Sequence, residues 1–167
     1  MLDFNIQNFL IYFSIAWGTN ISLNLLYVLK RYLPLFNKLD YPLDFKINYK
    51  KNRLLGDSTT IVGLIISLII SLTIYIITNS FVWFIIPIIV YLGHLAGSFV
   101  KRRLNKNGGD FLPIIDHGDY MLLLGLIFIS LGYINFYFAI LALIITYILH
   151  PLACLMAYKL KLRERPY

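Results

Sequence analysis

Residues 60–78 read TIVGLIISLIISLTIYIIT, nineteen consecutive residues of which none is charged. An α-helix rises about 1.5 Å per residue, so a stretch of this length nearly crosses a hydrocarbon core about 30 Å thick. The stretch is too long for a buried strand and lacks the alternation of a half-buried one. It therefore predicts a membrane-spanning helix.

Four more apolar stretches predict an all-α integral membrane protein, a single membrane domain over residues 1–167. Of these residues 59% are hydrophobic and only 14% are charged, whereas a typical soluble domain has about 25% charged residues. The fourth stretch is short for a span, so it either begins within the preceding loop or is tilted and shielded by protein. The five predicted transmembrane helices cover about 7–33, 60–78, 81–100, 117–132 and 136–158.

The basic residues give the predicted topology. All 15 Lys and Arg lie within 30–53, 101–106 and 159–165, which five crossings place on one side. By the positive-inside rule, loops 34–59 and 101–116 and the C-terminal tail are cytoplasmic and the N-terminus lies outside a cell (inner) membrane. The net charge of +7 then indicates contact with lipid head groups, and no nucleic-acid partner is expected.

Several classes of protein are disfavoured. The first apolar segment lacks a basic start and a small-residue cleavage site, so it is interpreted as a retained span and not a signal peptide. Cys154 is the only cysteine, which excludes an internal disulfide and a thiolate metal cluster. The predicted spans hold few ionisable residues besides His94 and His150, both near the charged side, which argues against a transporter or channel.

Asp116 and Asp119 are the most informative acids. Three residues apart at the start of a helix, they share one face at the lipid–water boundary. Magnesium is often held by one or two carboxylates together with substrate phosphates, so the pair suits Mg²⁺ and a phosphate chain. Two acids favoured by the dipole of a helix N-terminus are the alternative interpretation.

Two groups could bind phosphate in the cytoplasmic loops. Lys101-Arg102-Arg103 follow Gly97-Ser98 at the end of the third span and either bind an anion or anchor the helix topologically. Gly56-Asp57-Ser58-Thr59-Thr60 open a helix and form either an anion site or an ordinary N-cap. Together with the acids, the two loops predict one polar site at one membrane face.

These motifs resemble the CDP-archaeol synthase family, which are membrane CTP:lipid-phosphate cytidylyltransferases, over about residues 20–167. The family patterns are Pro-x-Asp, Arg-x-Leu/Phe-Gly-Asp-x-Lys-Thr-x-x-Gly, Gly-Asp-x-x-Gly/Asn-Ser-Phe-x-Lys-Arg-Arg and Leu-Asp-Gln-x-Asp. The matching residues are Pro42, Asp44, Arg53, Gly56, Asp57, Thr60, Gly63, Gly93, Ser98, Phe99, Lys101, Arg102, Arg103, Asp116 and Asp119. His150, Ala157-Tyr158 and the run from Lys161 to Tyr167 also agree.

The resemblance implies transfer of CMP from CTP to a membrane lipid phosphate, with Mg²⁺ as the cofactor and the lipid bilayer as the setting. It assigns catalysis to Asp116, Asp119 and Lys101, with both aspartates as metal ligands. The nucleotide- or phosphate-binding candidates are Arg53, Gly56, Asp57, Ser58, Thr59, Thr60, Ser98, Arg102 and Arg103. Further candidates are Asp44, His94 and His117.

Two departures from the family pattern leave two interpretations open. Thr59 stands at the motif lysine, and His94 stands at the motif acid. Thr59 donates a hydrogen bond but brings no charge, while a charged contact to phosphate contributes about 1.5–3 kcal/mol. The protein is expected to be either an active cytidylyltransferase or a catalytically impaired relative that binds nucleotide or lipid phosphate in a membrane assembly.

Overall fold

The computed structural model describes residues 5–32, 40–49, 52–106, 110 and 112–162. These residues form five helices and one two-stranded antiparallel ladder. The elements are α1 (Ile6–Tyr32), β1 (Asn48–Tyr49), β2 (Asn52–Arg53), α2 (Ile61–Thr78), α3 (Phe81–Arg103), α4 (Pro113–Ser130) and α5 (Phe136–Lys159). Each of these five helices is long and apolar enough to cross a membrane, which confirms the predicted five-span architecture.

The first of the two predicted polar loops contains local structure that the sequence did not predict. Strands β1 and β2 pair there, and an isolated bridge joins Pro42 to Thr60. Backbone bonds from Leu43 N to Thr59 O (2.9 Å) and from Ile61 N to Tyr41 O (3.0 Å) tie both ends of the loop together. Residues 34–39, 50–51, 107–109 and 111 of the predicted loops lie outside the described residues, as do residues 163–167 of the tail.

Local sequence sets the tight reversal between α2 and α3. The Thr60 hydroxyl accepts a hydrogen bond from Gly63 N (3.3 Å) and caps the start of α2. The helix ends at Asn79, whose φ of 48° lies in the left-handed region that asparagine tolerates well. Helix α3 begins only two residues later, at Phe81.

Helices α3 and α4 both extend further toward the charged end than their predicted spans. Helix α3 continues to Arg103, so the basic triplet forms its last turn and does not belong to a loop. Helix α4 begins at Pro113 and not at residue 117, because proline suits the first helical position and Asp116 accepts a bond from Leu112 N. The fourth span thus begins within the predicted loop, one of the two possibilities that its short apolar stretch allowed.

Glycine allows α3 and α4 to approach closely. A Cβ on Gly93 would lie 2.3 Å from the Cα of Tyr120, so any side chain there would push the helices apart. Small residues play this part in membranes, where packing and not exclusion from water associates helices. The crossing continues one turn further along α3 at Gly97, where the acids of α4 lie.

The bundle buries an aromatic and aliphatic core and leaves many large apolar side chains on its surface. Tyr12, Ile86, Tyr120 and Phe128 are fully buried, whereas Ile and Leu side chains project outward along α2. Such a surface is stable only against lipid, since contact with water would be costly.

Candidate active site

Asp44 organises the first loop. Its buried carboxylate accepts hydrogen bonds from Nε (3.3 Å) and Nη2 (2.5 Å) of Arg53 and from the backbone N–H groups of Lys46 (3.1 Å), Leu55 (3.0 Å) and Gly56 (3.1 Å). Burial alone would raise the pKa of Asp44, but these donors outweigh it and hold the pKa well below its usual range. Asp44 is therefore ionised, and its charged carboxylate holds the fold of the loop together.

The exposed edge of the loop carries a weaker ion pair. Arg53 Nη1 also contacts the carboxylate of Asp57, whose side chain is 82% exposed. Ser58, next in sequence, is exposed as well. Arg53 is thus held between one buried and one solvated carboxylate.

The entry to α2 is well packed around Gly56 and the two threonines. Gly56 has a φ of +102°, and a Cβ on it would lie 3.0 Å from Nε of Arg102. Thr59 is buried and its hydroxyl donates to the carbonyl oxygen of Gly56 (3.4 Å). Thr59 therefore lies in the fold of the loop, at the position where the family motif has a lysine.

Arg102 and Arg103 brace the first loop through its carbonyl groups. Nε of Arg102 donates to Leu55 O (3.2 Å). Arg103 donates from Nη1 to Tyr49 O (3.0 Å) and from Nη2 to Arg53 O (2.8 Å). The two guanidinium groups hold the loop on the end of α3.

The side chain of Lys101, unlike those of Arg102 and Arg103, contacts α4. Its Nζ forms an ion pair with Asp116 and donates to the carbonyl oxygen of Asp110 (3.2 Å). The second carboxylate oxygen of Asp116 accepts from Leu112 N (2.7 Å), so this acid also caps its own helix. The helix-start interpretation of Asp116 is therefore confirmed, and its role in a metal site stays a prediction.

Asp119 lies one turn further along α4, over Gly97 of α3. A Cβ on Gly97 would lie 2.3 Å from Oδ2 of Asp119, so the glycine provides the space that this carboxylate fills. Both carboxylate oxygens lie 3.4 Å from Nδ1 of His94. His94 Nε2 is buried without a hydrogen-bond partner. Ser98, half-buried, follows Gly97 in α3.

His117 does not join the acid pair, although it follows Asp116 directly. Its Nδ1 lies 2.8 Å from Nδ1 of His150, and its ring packs edge-on against Tyr147 of α5. Cys154 Sγ lies 3.6 Å from the same His150 nitrogen. Because successive helical residues point about 100° apart, one neighbour faces α3 while the other faces α5.

The same rotation divides the basic triplet between two places. The structure brings Lys101, Asp116, Asp119 and His94 together at the α3–α4 crossing. It turns Arg102 and Arg103 toward the first loop. The two predicted phosphate-binding groups thus meet each other, and only the lysine of the triplet meets the acids.

Asn52 is a supporting residue that sequence reasoning missed. Its Nδ2 donates to Arg102 O (3.0 Å) and to Oδ1 of Asn105 (2.7 Å), which joins β2 to the end of α3. Nothing in the sequence links positions fifty residues apart. The close helix crossing, by contrast, had a readable signal in Gly93 and Gly97, since small residues four apart mark tight membrane helix pairs.

The acid pair fits a divalent cation only if a further ligand contributes. Across the described ranges no three His, Cys, Asp or Glu side chains form a metal-binding group. Mg²⁺ nevertheless commonly binds only one or two protein carboxylates, with phosphate oxygens and water completing its coordination shell. Asp116 and Asp119 supply two carboxylates on one helix face. The donor chemistry of Asp116 and Asp119 fits that ion in the presence of a phosphate substrate.

A solved structure shares this fold. The chain is similar, with a TM-score of 0.67 and 27% identity, to a protein described as "an intramembrane enzyme for archaeal membrane lipids biosynthesis", over 89% of this chain and 94% of that one. The chain, with five spans and a polar site at one end, is therefore a multi-pass intramembrane enzyme.

Sequence comparisons identify the family. The family model described as "CarS-like: CDP-archaeol synthase" matches residues 19–167. CDP-archaeol synthase of Sulfolobus acidocaldarius is 32% identical, covering 79% of this chain and 86% of that protein. CDP-archaeol synthase of Sulfurisphaera tokodaii is 33% identical, covering 79% and 85% respectively. The chain belongs to the CDP-archaeol synthase family.

Proposed function

We propose that this protein transfers CMP from CTP to a membrane lipid phosphate, giving a CDP-activated lipid and pyrophosphate for phospholipid biosynthesis. The observation that carries the proposal is the contact of Asp116 and Asp119 with Lys101 and His94 at the polar end of a membrane bundle. The names of the relatives, all CDP-archaeol synthases, support a product of this kind.

The bond changes are those of a nucleotidyl transfer. An oxygen of the lipid phosphate attacks the α-phosphorus of CTP, and the bond from that phosphorus to the oxygen bridging to the β-phosphate breaks. Pyrophosphate leaves with the electron pair of that bond. Enzymes of this kind act chiefly through positioning and electrostatic stabilisation, because little covalent work falls to the protein.

Asp116 and Asp119 are the residues that would hold Mg²⁺ in this reaction. The ion, when bound, supplies positive charge to the attacking and leaving oxygens. Lys101 is already within contact of Asp116, so its ammonium group would lie beside any phosphate held there. Its charge balances that of Asp116 when no ligand is bound, and would attract a triphosphate once a cation shares the carboxylates.

The first loop would contribute backbone donors to the nucleotide, and Arg102 and Arg103 at the end of α3 would contribute guanidinium donors. Each guanidinium carries five N–H groups, and the contacts of Arg102 and Arg103 with loop carbonyls leave some of them for phosphate oxygens. The exposed stretch Asp57-Ser58 at the opening of α2 lies in the same loop. We assign this loop to nucleotide binding and the α3–α4 crossing to the metal and the transferred phosphorus.

The charged end is proposed to face the cytoplasm, with the N-terminus outside. All 15 Lys and Arg lie in segments that belong to this end of the predicted topology. CTP would then reach the site from the cytoplasmic side. Accessibility of a cysteine placed in the loop to a membrane-impermeant reagent, in inverted against right-side-out vesicles, tests the orientation.

A catalytically impaired binding protein is the second candidate, and Thr59 and His94 favour it. Thr59 lacks a charge and is buried, and His94 replaces an acid of the family motif beside Asp119. If the family lysine and acid face each other, their joint loss leaves no unpaired buried charge, which makes the double change tolerable.

The deciding experiment is CTP turnover by detergent-solubilised protein with a panel of lipid phosphates. Wild type is compared with Asp116→Ala, and Gly125→Ala serves as a control for the fold, because its Cβ would meet Ala139 at an ordinary 3.5 Å. Pyrophosphate release that is lost in the aspartate variant alone supports the proposal. Activity that survives Asp116→Ala removes this residue from the mechanism.

A separate outcome distinguishes the second candidate. Wild type that binds CTP by calorimetry but turns over no lipid phosphate would be the impaired relative. In that case Thr59→Lys, alone and combined with His94→Asp, is expected to gain activity by restoring the motif charges.

A further inference from the structure

The first loop carries a group of large apolar side chains that are about half exposed. Phe45 is 61% exposed, Ile47 56%, Tyr49 49% and Tyr41 45%. A soluble surface tolerates scattered apolar residues, but four within nine positions form a patch that indicates an interaction. We call these four residues the loop patch.

The backbone of the loop holds the patch outward. Phe45 and Lys46 both have positive φ, 47° and 62°, although neither is glycine. Such left-handed residues cost roughly 1–2 kcal/mol each and persist where their surroundings fix them. The buried carboxylate of Asp44 fixes this turn by accepting from Lys46 N, while Ile47 N donates to Asp44 O (2.8 Å).

The patch lies at the level of the last turn of a membrane span. The guanidinium carbon of Arg103 is 4.9 Å from the ring centre of Tyr49 and 5.2 Å from that of Phe99. Phe99 belongs to α3 and is exposed on the outside of the bundle, as is Val100 beside it. Both rings contact one guanidinium group, so Tyr49, the last residue of the loop patch, lies close to an exposed side chain in the last turn of α3.

The charges around the patch match an anionic head-group layer. Lys46 lies over the ring of Tyr41, with Nζ 5.7 Å from the ring centre. In sequence, Lys50 and Lys51 follow Tyr49 directly. Tyrosine at the lipid–water interface and lysine beside anionic lipid are the two side chains that such a layer favours.

We propose that the loop patch is inserted into an anionic head-group layer of the membrane that the protein spans, at the basic end of the bundle. The apolar side chains enter the boundary of the acyl region, and Lys46 remains among the lipid phosphates. The inference rests on the five spans and on the geometry of the loop. It does not depend on the proposed CMP transfer.

The test is the depth of a spin label in a reconstituted bilayer. Phe45→Cys is labelled in a Cys154→Ala background and reconstituted in vesicles that contain anionic phospholipid. Collisions of the label with oxygen, which concentrates in the bilayer, are compared with collisions with a water-soluble nickel chelate. Ser58→Cys, an exposed position of the same loop outside the patch, is the matched control.

The proposal predicts an oxygen-to-nickel collision ratio several-fold higher at position 45 than at position 58, and the same difference with the label at Ile47→Cys. Equal ratios at 45 and 58 would overturn it, because the patch would then face water. Shielding of position 45 from both reagents would also overturn it in favour of a protein partner. If that shielding disappears on dilution into excess lipid, the partner is a second copy of the chain.

Charge is tested on the same labelled protein. Replacing the anionic lipid by zwitterionic lipid is expected to lower the collision ratio at position 45 and to leave position 58 unchanged. A ratio that does not respond to lipid charge would contradict the assigned role of Lys46.

Discussion

The two halves of the polar end use charge in opposite ways. In the first loop, Asp44 and Arg53 bond to each other, and Asp44 also accepts from backbone N–H groups, so the paired charges hold a fold together. At the α3–α4 crossing, Asp116 and Asp119 each meet a single basic side chain, from Lys101 and His94 respectively. The first arrangement is a scaffold around a fully buried carboxylate, whereas the second has two partly exposed carboxylates, which we propose to hold a cation and phosphate.

The basic triplet shows how closely the two arrangements adjoin. Lys101 belongs to the crossing, while Arg102 and Arg103 belong to the loop. Helix geometry alone separates them, because consecutive side chains point about 100° apart. Adjacent basic residues therefore do not share a role merely because they share a motif.

The largest expected effect is the loss of Asp119. Asp119→Ala is expected to lower pyrophosphate release from CTP roughly a thousandfold, about 4 kcal/mol, because a metal-binding carboxylate supplies several kcal/mol of transition-state stabilisation. Steady-state turnover with a lipid phosphate measures it. A loss smaller than tenfold would remove Asp119 from the proposed metal site.

Next in size is a change that displaces the carboxylate without removing it. Gly97→Ala would put a Cβ 2.3 Å from Oδ2 of Asp119. A misplacement of about 1 Å can cost on the order of a hundredfold in rate, and turnover is expected to fall by that amount. Gly125→Ala, whose Cβ has ordinary contacts, is expected to retain activity. Equal losses in both variants would point to general damage to the bundle.

The scaffold is tested by Asp44→Ala. Several donors of the first loop would lose their shared acceptor, and a buried group left unsatisfied costs about 1–3 kcal/mol. At roughly 2 kcal/mol, hydrogen exchange of the Leu55 and Gly56 amides is expected to accelerate about thirtyfold. Unchanged exchange would show that the loop does not depend on its buried charge.

Acid pH should weaken the same scaffold in wild type. Because the folded pKa of Asp44 lies below its ordinary value, its stabilisation is complete above about pH 4 and declines as pH falls further toward the folded pKa. In that window, exchange of the Gly56 amide, corrected for intrinsic rate, is expected to rise by up to about tenfold per pH unit. Asp44→Ala should remove this dependence, and a wild-type loop that loosens already near pH 6 would contradict the assignment.

The smallest expected effect is at the exposed edge of the scaffold. Asp57→Asn removes a carboxylate that pairs with Arg53 but is 82% exposed. Exposed ion pairs contribute about 0–1 kcal/mol, so exchange in the loop is expected to change by less than about fivefold. A larger change would mean that Asp57 contributes nearly as much to the stability of the loop as Asp44 does.

The sequence predicted the parts of the fold that depend on local composition. The apolar stretch 60–78 and its neighbours predicted five spans because burying so much apolar surface requires lipid. The spacing of Asp116 and Asp119 predicted that they share a helix face, and both contact α3. Local signals also set the reversal at Asn79, because asparagine tolerates the left-handed geometry found there.

Only the tertiary structure decided how these parts meet. That Asp44 folds the loop depends on contacts across the loop itself. That Arg102 faces the loop while Lys101 faces Asp116, and that Gly97 makes room for Asp119, depends on contacts between different elements of the chain. Composition and periodicity describe each helix by itself. They do not fix the rotation and distance of one helix against another, which packing of the whole bundle determines.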